Sequence, residues 1–483
     1  MFLGIDIGTG SVKVLLLDSE GQQHLRTKTY RVSAPKLGWA EIDPEIWLNA
    51  VRSAISDLPT NDAITAIGFS GQMHGIVPVR VQGKRIESIG NAITWADRRG
   101  ASYVRELESL SPAILESMGN RPSAGMAAIS LLWLRDHEPR AFGRADMFLL
   151  AKDYIRAQFT GQCQTDYSDA SGTLLYNFTS HTWNDALLNE LGLSEKTLPE
   201  IVYGNSVTGT VTESAAAFFG VPQGIPVIAG AGDTPASVAG TWMEPDGSAQ
   251  ISIGTAAQIT MIAPPDFRIQ DRSLSLFEGA FEGQRLVVAA MLNGGLALEW
   301  VRQILKFSWD ELYNRLEERG LREPMDLLFI PHLSGERTPY MDSTARGSWV
   351  GLSLHHQSED LALAALLGVA LSVRLGVDTL TKTEMGNPRV LRLVGGSAHY
   401  PFWRQLLTGV LGRAIHVSTV ANSSALGAVR LAAEGVHAGT LLPRPEFTVE
   451  PVQNIPWIDA YYRRYLETTD WLRNHSGTSS LDP

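Results

Sequence analysis

Residues 2–18 read Phe2-Leu3-Gly4-Ile5-Asp6-Ile7-Gly8-Thr9-Gly10-Ser11-Val12-Lys13-Val14-Leu15-Leu16-Leu17-Asp18. Two apolar runs flank a short turn, the pattern of a β-hairpin. Gly8 and Gly10 are expected to supply backbone angles that residues with a Cβ avoid, so that the turn gathers N–H groups around a small anion. Thr9 and Ser11 add hydroxyls, and Lys13 lies on the returning strand. Asp6 is a carboxylate inside an otherwise buried run, a costly placement unless it is paired, hydrated or near a cation. Two readings stay open on this stretch alone: a phosphate cradle with a magnesium-facing Asp6, or an ordinary hairpin with a glycine turn.

A second copy lies half a chain later. Residues 249–262 run from Ala249 through Ser252-Ile253-Gly254-Thr255 to Ile262, with Ser252 where Asp6 stood. Such duplication suggests two similar domains facing each other, with a polyphosphate held between their Gly-Thr turns. Only the first copy has the carboxylate, so metal and chemistry are assigned to the first half.

Composition narrows the field. The 483 residues suffice for two or three domains with sizeable cores. A net charge of −11 and no basic block argue against nucleic acid. The one cysteine, Cys163, excludes an intrachain disulfide and fits a reducing cytoplasm. The N-terminus, broken by Asp6 and Lys13, is unlike a signal peptide. No run is expected to reach the length that spans a bilayer.

Along the chain, Asp43-Pro44-Glu45 opens a helix, with Ile46, Ala50, Val51, Ala54, Ile55 and Leu58 on its apolar face. A buried strand at 63–69 ends in Ser70-Gly71-Gln72-Met73-His74-Gly75, where α/β sheets bind ligands. His74 is thus either a substrate ligand or a hydrogen-bonded structural histidine. Trp95 offers a face for sugar carbons, and Asp97 either accepts sugar hydroxyls or pairs with an arginine at the surface. Residues 101–120 and 123–138 read as helices. Asp166, Ser168 and Asp169 read as a solvated polar loop. An apolar strand runs into Gly232-Asp233-Thr234, making Asp233 a helix cap or a general base. Residues 332–339 read as an ordered surface near a domain junction. Gly395-Gly396-Ser397 form a turn suited to a purine or an α-phosphate. A terminal amphipathic helix covers 458–474, and residues 476–483 are expected to fray.

Taken in order, Gly4-Ile5-Asp6-Ile7-Gly8-Thr9, Gly71-Gln72-Met73-His74-Gly75, Trp95 with Asp97 and Arg99, Gly232-Asp233, Ser252-Ile253-Gly254-Thr255, Ser334-Gly335-Glu336-Arg337-Thr338-Pro339 and Gly395-Gly396 resemble the FGGY carbohydrate kinases over most of the chain. The resemblance implies an α/β fold of two ribonuclease-H-like domains, of the actin and sugar-kinase type, closing on ATP and sugar. The expected division is 1–243 for the sugar pocket and base and 244–483 for the nucleotide. It further implies transfer of the ATP γ-phosphate to a terminal hydroxyl, with D-xylulose the first expectation and ribulose, gluconate or a polyol the alternatives. A nucleotide-binding regulator on the same fold is the reading from another class. Asp233 matches the catalytic base and Asp6 the carboxylate near magnesium. Gly8, Thr9 and Gly10, with Ser11 and Lys13 beside them, match the first phosphate turn, and Gly254 and Thr255 the second. Gly395, Gly396 and Ser397 fall at the adenosine turn. Gln72, Met73, His74, Trp95, Asp97 and Thr234 fall where the sugar pocket should be. The family suggests a homodimer. This chain departs from the family's usual residues at Ser130, Leu367 and Ser397, and Asn422 and Ser424 stand in a stretch before Gly427 that usually differs.

Overall fold

The structure, a computed structural model, describes residues 1–59, 63–324, 326–420, 422–439 and 442–475. The expected fraying of 476–483 lies outside the described residues.

The opening hairpin forms as read. Strand β1 (Phe2–Ile7) pairs antiparallel with β2 (Ser11–Leu17), and β2 with β3 (Gln23–Thr29). Strand β4 (Ala66–Gly71) then lies parallel to β1. Beyond it come β5 (Val207–Thr210), β6 (Pro226–Ile228) and the short β7 (Ala231–Gly232), giving the order β5-β6-β4-β1-β2-β3 with β7 on β4.

The second half repeats this plan. Strands β8 (Ala249–Ile253), β9 (Ala257–Ala263), β10 (Ser275–Glu278), β11 (Arg285–Met291), β12 (Leu391–Val394), β13 (Ile415–Ser418) and β14 (Phe447–Glu450) are ordered β10-β11-β9-β8-β12-β13-β14. Strands β13-β12-β8-β9-β11 reproduce β6-β4-β1-β2-β3 in order and in strand direction, the ribonuclease-H-like plan. Asp6 faces Lys13 across its ladder, and Ser252 faces Gln258 across the equivalent one. The second turn is one residue shorter: the Gly8 N–H donates to Ser11, the Gly254 N–H to Ala256.

Period-two alternation sorts the first sheet's side chains. Leu3, Ile5, Ile7, Val12, Val14 and Leu16 enter one core with helices α1 (Pro44–Ser56) and α2 (Ala151–Thr160). The expected apolar face holds at Val51, Ala54, Ile55 and Leu58, which are buried, but Trp47 is buried as well and Ile46 is exposed. Helix α3 (Asp233–Gly240) follows β7, and the second sheet is backed by the long α4 (Ser358–Thr381). The expectation that no run could span a bilayer needs correction. Helix α4 is long and apolar enough, and 83% of its apolar window is buried inside the protein.

Helix α5 (Pro401–Leu411) leads to α6 (Ser423–Gly435) and finally α7 (Ile458–His475). Although α6 belongs to the second half in sequence, it packs on β1 and β4 of the first sheet and on α3. Glycines permit this closeness. A Cβ on Gly68 would overlap the Ala428 carbonyl, and one on Gly427 the Ala236 carbonyl. Asp6 projects from the Gly4 face of β1, two residues farther along, toward the start of α6. Thus the sheet that buries Asp6 also brings it to an inter-helix cavity.

Candidate active site

Asp233 is held where a strand becomes a helix. Ala231 and Gly232 pair with Ser70 and Gly71, Gly232 caps α3, and Asp233 is its first residue. Asp233 Oδ1 accepts the Thr234 N–H at 2.7 Å, and the Thr234 hydroxyl donates to Gln258 Oε1 at 3.0 Å. Asp233 is therefore tied to β9 of the opposite half.

Its carboxyl stands in the wall between two cavities, each of about 270 Å³. Asp6, Lys13, Gly254, Gly395, Gly396 and Ser424 line the first. Thr9, Met73, His74, Trp95, Thr255 and Arg337 line the second. Burial, with the Asp6 charge nearby, raises Asp233 from 3.8 to about 7. Burial also raises Asp6, against the pull of Lys13. Asp6 Oδ1 has no hydrogen-bond partner among the described residues. A buried carboxylate oxygen left so is suited to a hydrated cation.

His74 sits in the left-handed region at φ 76°. Its Nδ1 donates to the Gly172 carbonyl at 2.7 Å, the tautomer that a carbonyl partner requires. Burial, helped by the Arg337 charge and opposed by that hydrogen bond, lowers its pKa to about 4. The neutral ring consequently keeps Nε2 as an acceptor. His74 is thus internally hydrogen-bonded and also lines the second cavity. The Trp95 indole N–H donates to the Thr9 hydroxyl at 2.8 Å, joining the aromatic wall to the first glycine turn.

Other expected residues lie apart from the two cavities. The Asp97 carboxylate is 1% exposed and accepts from the Ala40 N–H at 2.6 Å and from Arg99 Nε at 2.9 Å. It forms a buried ion pair with Arg99, not a surface one, and its oxygens are engaged there. Gln72 is buried, with its amide N–H 3.5 Å from the Gly8 carbonyl. Gly8, Gly10 and Ser11 flank Thr9 in the turn without lining either cavity. The reason expected for their glycines does not hold, because neither Gly8 nor Gly10 has a positive φ. At Gly10 and Gly254 an added Cβ meets nothing within 4 Å, so no neighbouring group requires glycine there. Gly395 does require glycine, at φ 89°. The Ser397 side chain lies outside the described residues.

Sequence reasoning missed a charged cluster behind the site. Asp166 and Asp169 are buried, not solvated, around Lys152, with Arg156 3.5 Å from the neighbouring Asp153 and with burial raising Asp169 toward its neutral form. The Lys152 Nζ lies 2.6 Å from Asp153, 2.6 Å from Asp166 and 3.0 Å from Asp169. Burial pulls the lysine down, but the three carboxylates outweigh it and keep it charged. Ser168 donates to Asp166 and accepts the Gly232 N–H at 2.9 Å, bracing the residue before Asp233. Helical spacing cannot reveal such a cluster; the density of Asp and Lys between 152 and 169 was the only signal. Asn422 and Ser424, read only as departures from the family, line the Asp6 cavity with Ser423, and the Ser424 hydroxyl donates to the Asp233 carbonyl at 3.2 Å. Arg337, read as junction surface, lines the His74 cavity.

Family comparison fits this geometry. The N-terminal domain model of the FGGY family of carbohydrate kinases matches residues 1–240, and its C-terminal domain model matches residues 249–435. The chain belongs to the FGGY family of carbohydrate kinases. This FGGY kinase is 32% identical to a xylulose kinase of Escherichia coli K12 over 437 residues, covering 89% of each chain. It is 28% identical to a gluconokinase of Bacillus subtilis, covering 88% of this chain and 86% of the relative. Its structure resembles that of a xyloylose kinase from Brucella ovis, with a TM-score of 0.89, 30% identity and 98% and 99% of the two chains covered.

Proposed function

We propose that this FGGY kinase transfers the γ-phosphate of ATP to the terminal hydroxyl of a ketopentose, D-xylulose giving D-xylulose 5-phosphate, with Asp233 as general base. One observation carries the reading. A carboxyl with its pKa near 7 stands between a cavity edged by two glycine turns and a cavity walled by Met73, His74 and Trp95. A base is most effective when its pKa lies near the working pH.

In this reading Asp233 takes the hydroxyl proton as the sugar oxygen attacks phosphorus in line. The residues assigned to the phosphates are Gly8, Thr9, Gly10, Ser11 and Lys13 on one side and Gly254 and Thr255 on the other. Gly395, Gly396 and Ser397 are assigned to the adenosine side. Met73, His74, Trp95 and Thr234 are assigned to the sugar, with His74 Nε2 accepting a hydroxyl and Trp95 covering carbon. Gln72 and Asp97 would support this pocket from behind. Asp6, with its unpartnered oxygen, would hold magnesium through water; bound magnesium neutralises phosphate charge. The division of labour runs between 1–243 and 244–483. A dry, closed cleft keeps water from intercepting the phosphoryl group. The single cysteine supports a cytoplasmic setting, and a homodimer is the assembly this reading carries.

ADP release from Mg-ATP with D-xylulose, D-ribulose, L-ribulose, gluconate, glycerol or no sugar tests this. A strong rise with D-xylulose alone is expected. A rise with another acceptor renames the substrate. ATP binding with no acceptor-dependent turnover refutes the kinase reading and favours a regulator.

A further inference from the structure

Arg337 is a charge without a partner in the acceptor cavity. Its guanidinium makes no hydrogen bond or ion pair to any described residue, although its backbone N–H donates to Glu336 at 2.8 Å. Burial and the like charge of Arg98 lower its pKa to about 10, with Glu336 the opposing charge. Glu336 is a weak counter-ion. It is itself raised to about 7 by burial, and its Oε1 accepts the N–H groups of both Leu292 and Arg337. Arg337 is half-buried in the cavity wall, and its guanidinium, a fixed fork of donors, is matched by an electron-rich oxygen entering the cavity.

Position says which oxygen. Arg337 lines the His74 cavity and not the cavity of Asp6 and Gly395. Its field bears on His74, whereas the charge that bears on Asp233 is Asp6. The cation therefore stands on the acceptor side of Asp233 with His74, in a cavity whose wall also includes Thr9, Gly254 and Thr255 of the glycine turns. An acceptor whose terminal hydroxyl is at Asp233 brings its other end there.

We infer that Arg337 is a specificity-determining residue: its guanidinium fork receives a carbonyl or carboxylate oxygen at the acceptor's far end and discriminates against polyols of equal length. This rests on the kinase reading for the placement of the hydroxyl at Asp233. A carbonyl or carboxylate oxygen is an acceptor only and meets the planar fork with its lone pairs; the hydroxyl that replaces it in a polyol can also accept, but as a weaker acceptor and with a proton that needs an acceptor of its own, which Arg337 does not offer.

The test compares D-xylulose, xylitol and D-xylonate, all five-carbon chains with the same terminal hydroxyl. Binding is measured by calorimetry without ATP, and turnover with Mg-ATP, on the wild type, Arg337→Gln and Arg337→Lys. The wild type should prefer D-xylulose or D-xylonate over xylitol by roughly 10- to 100-fold, the range of a charge-assisted hydrogen bond. Arg337→Gln should bring the three within a few-fold by weakening only the preferred acceptor, with KM for ATP unchanged. Arg337→Lys, which keeps the charge and loses the fork, should fall between them. Preference for D-xylulose identifies the carbonyl as the ligand, and preference for D-xylonate the carboxylate. A wild type that binds all three equally overturns the inference, as does an Arg337→Gln or Arg337→Lys variant that keeps the full ratio. Discriminating binding without turnover refutes the kinase reading and leaves the assignment of Arg337 standing.

Discussion

Replacing Asp233 by Asn should raise stability while removing turnover. Burial and Asp6 together move the Asp233 carboxyl from 3.8 to about 7, so the folded protein disfavours the ionised form. The folded pKa lies above the unfolded one. Between those values the folded state binds more protons, and stability is lost as pH rises from about 4 to about 7. At about 1.4 kcal/mol per pH unit, three decades correspond to roughly 4 kcal/mol as an upper bound. Water in the two cavities screens the half-buried group, so the expected gain for Asp233→Asn at pH 8 is about 1–2 kcal/mol. The substitution fits locally, because an Asn oxygen still accepts the Thr234 N–H. Thermal unfolding of both proteins at pH 4, 6 and 8 is the assay. The midpoints should coincide at pH 4 and separate by a few degrees at pH 8, with the variant higher. Turnover should fall by about 10²–10⁴. A variant less stable at pH 8, or a difference independent of pH, would refute the argument that the ionised carboxylate is held at a cost. Near-normal turnover in the folded variant would remove Asp233 from its role.

Three further perturbations address other parts of the fold. Lys152→Met leaves three buried carboxylates without their ammonium and should cost about 3–5 kcal/mol in urea unfolding; a loss under 1 kcal/mol would mean that protonation of the carboxylates replaces the lysine. Gly427→Ala drives a methyl into the Ala236 carbonyl and should destabilise by at least ~2 kcal/mol, whereas Gly10→Ala, with open space around it, should change stability by less than ~0.5 kcal/mol. Trp95→Phe keeps an aromatic face but loses the N–H bond to Thr9, so KM for the acceptor should rise by about 10-fold; unchanged kinetics would show that the indole neither orders Thr9 nor meets substrate.

Much of the architecture was legible because hairpins and helix starts are local. The Gly-Thr hairpin, its second copy, the Asp43 cap and the strand leading into Gly232-Asp233 all follow from short-range pattern and turn chemistry. Membership among the carbohydrate kinases followed from the order of motifs that are individually weak.

What stayed hidden depended on contacts between distant segments. Asp97 and His74 each carried two readings in sequence; the first is engaged by Arg99 and Ala40, and the second lines a cavity while bonded to Gly172. Asp166 and Asp169 looked solvated until Lys152 was found among them, since a carboxylate's cost depends on its counter-charge and not on its neighbours in sequence. The chain alone determined that two glycine-turn sheets would form, that Asp6 would lie inside a buried run and that Asp233 would stand where a strand meets a helix. Only tertiary packing laid α6 across the first sheet, raised Asp233 through burial beside Asp6, and left Arg337 uncompensated. Solvent exclusion and charge proximity are properties of the assembled cavity, and no local stretch of sequence contains them.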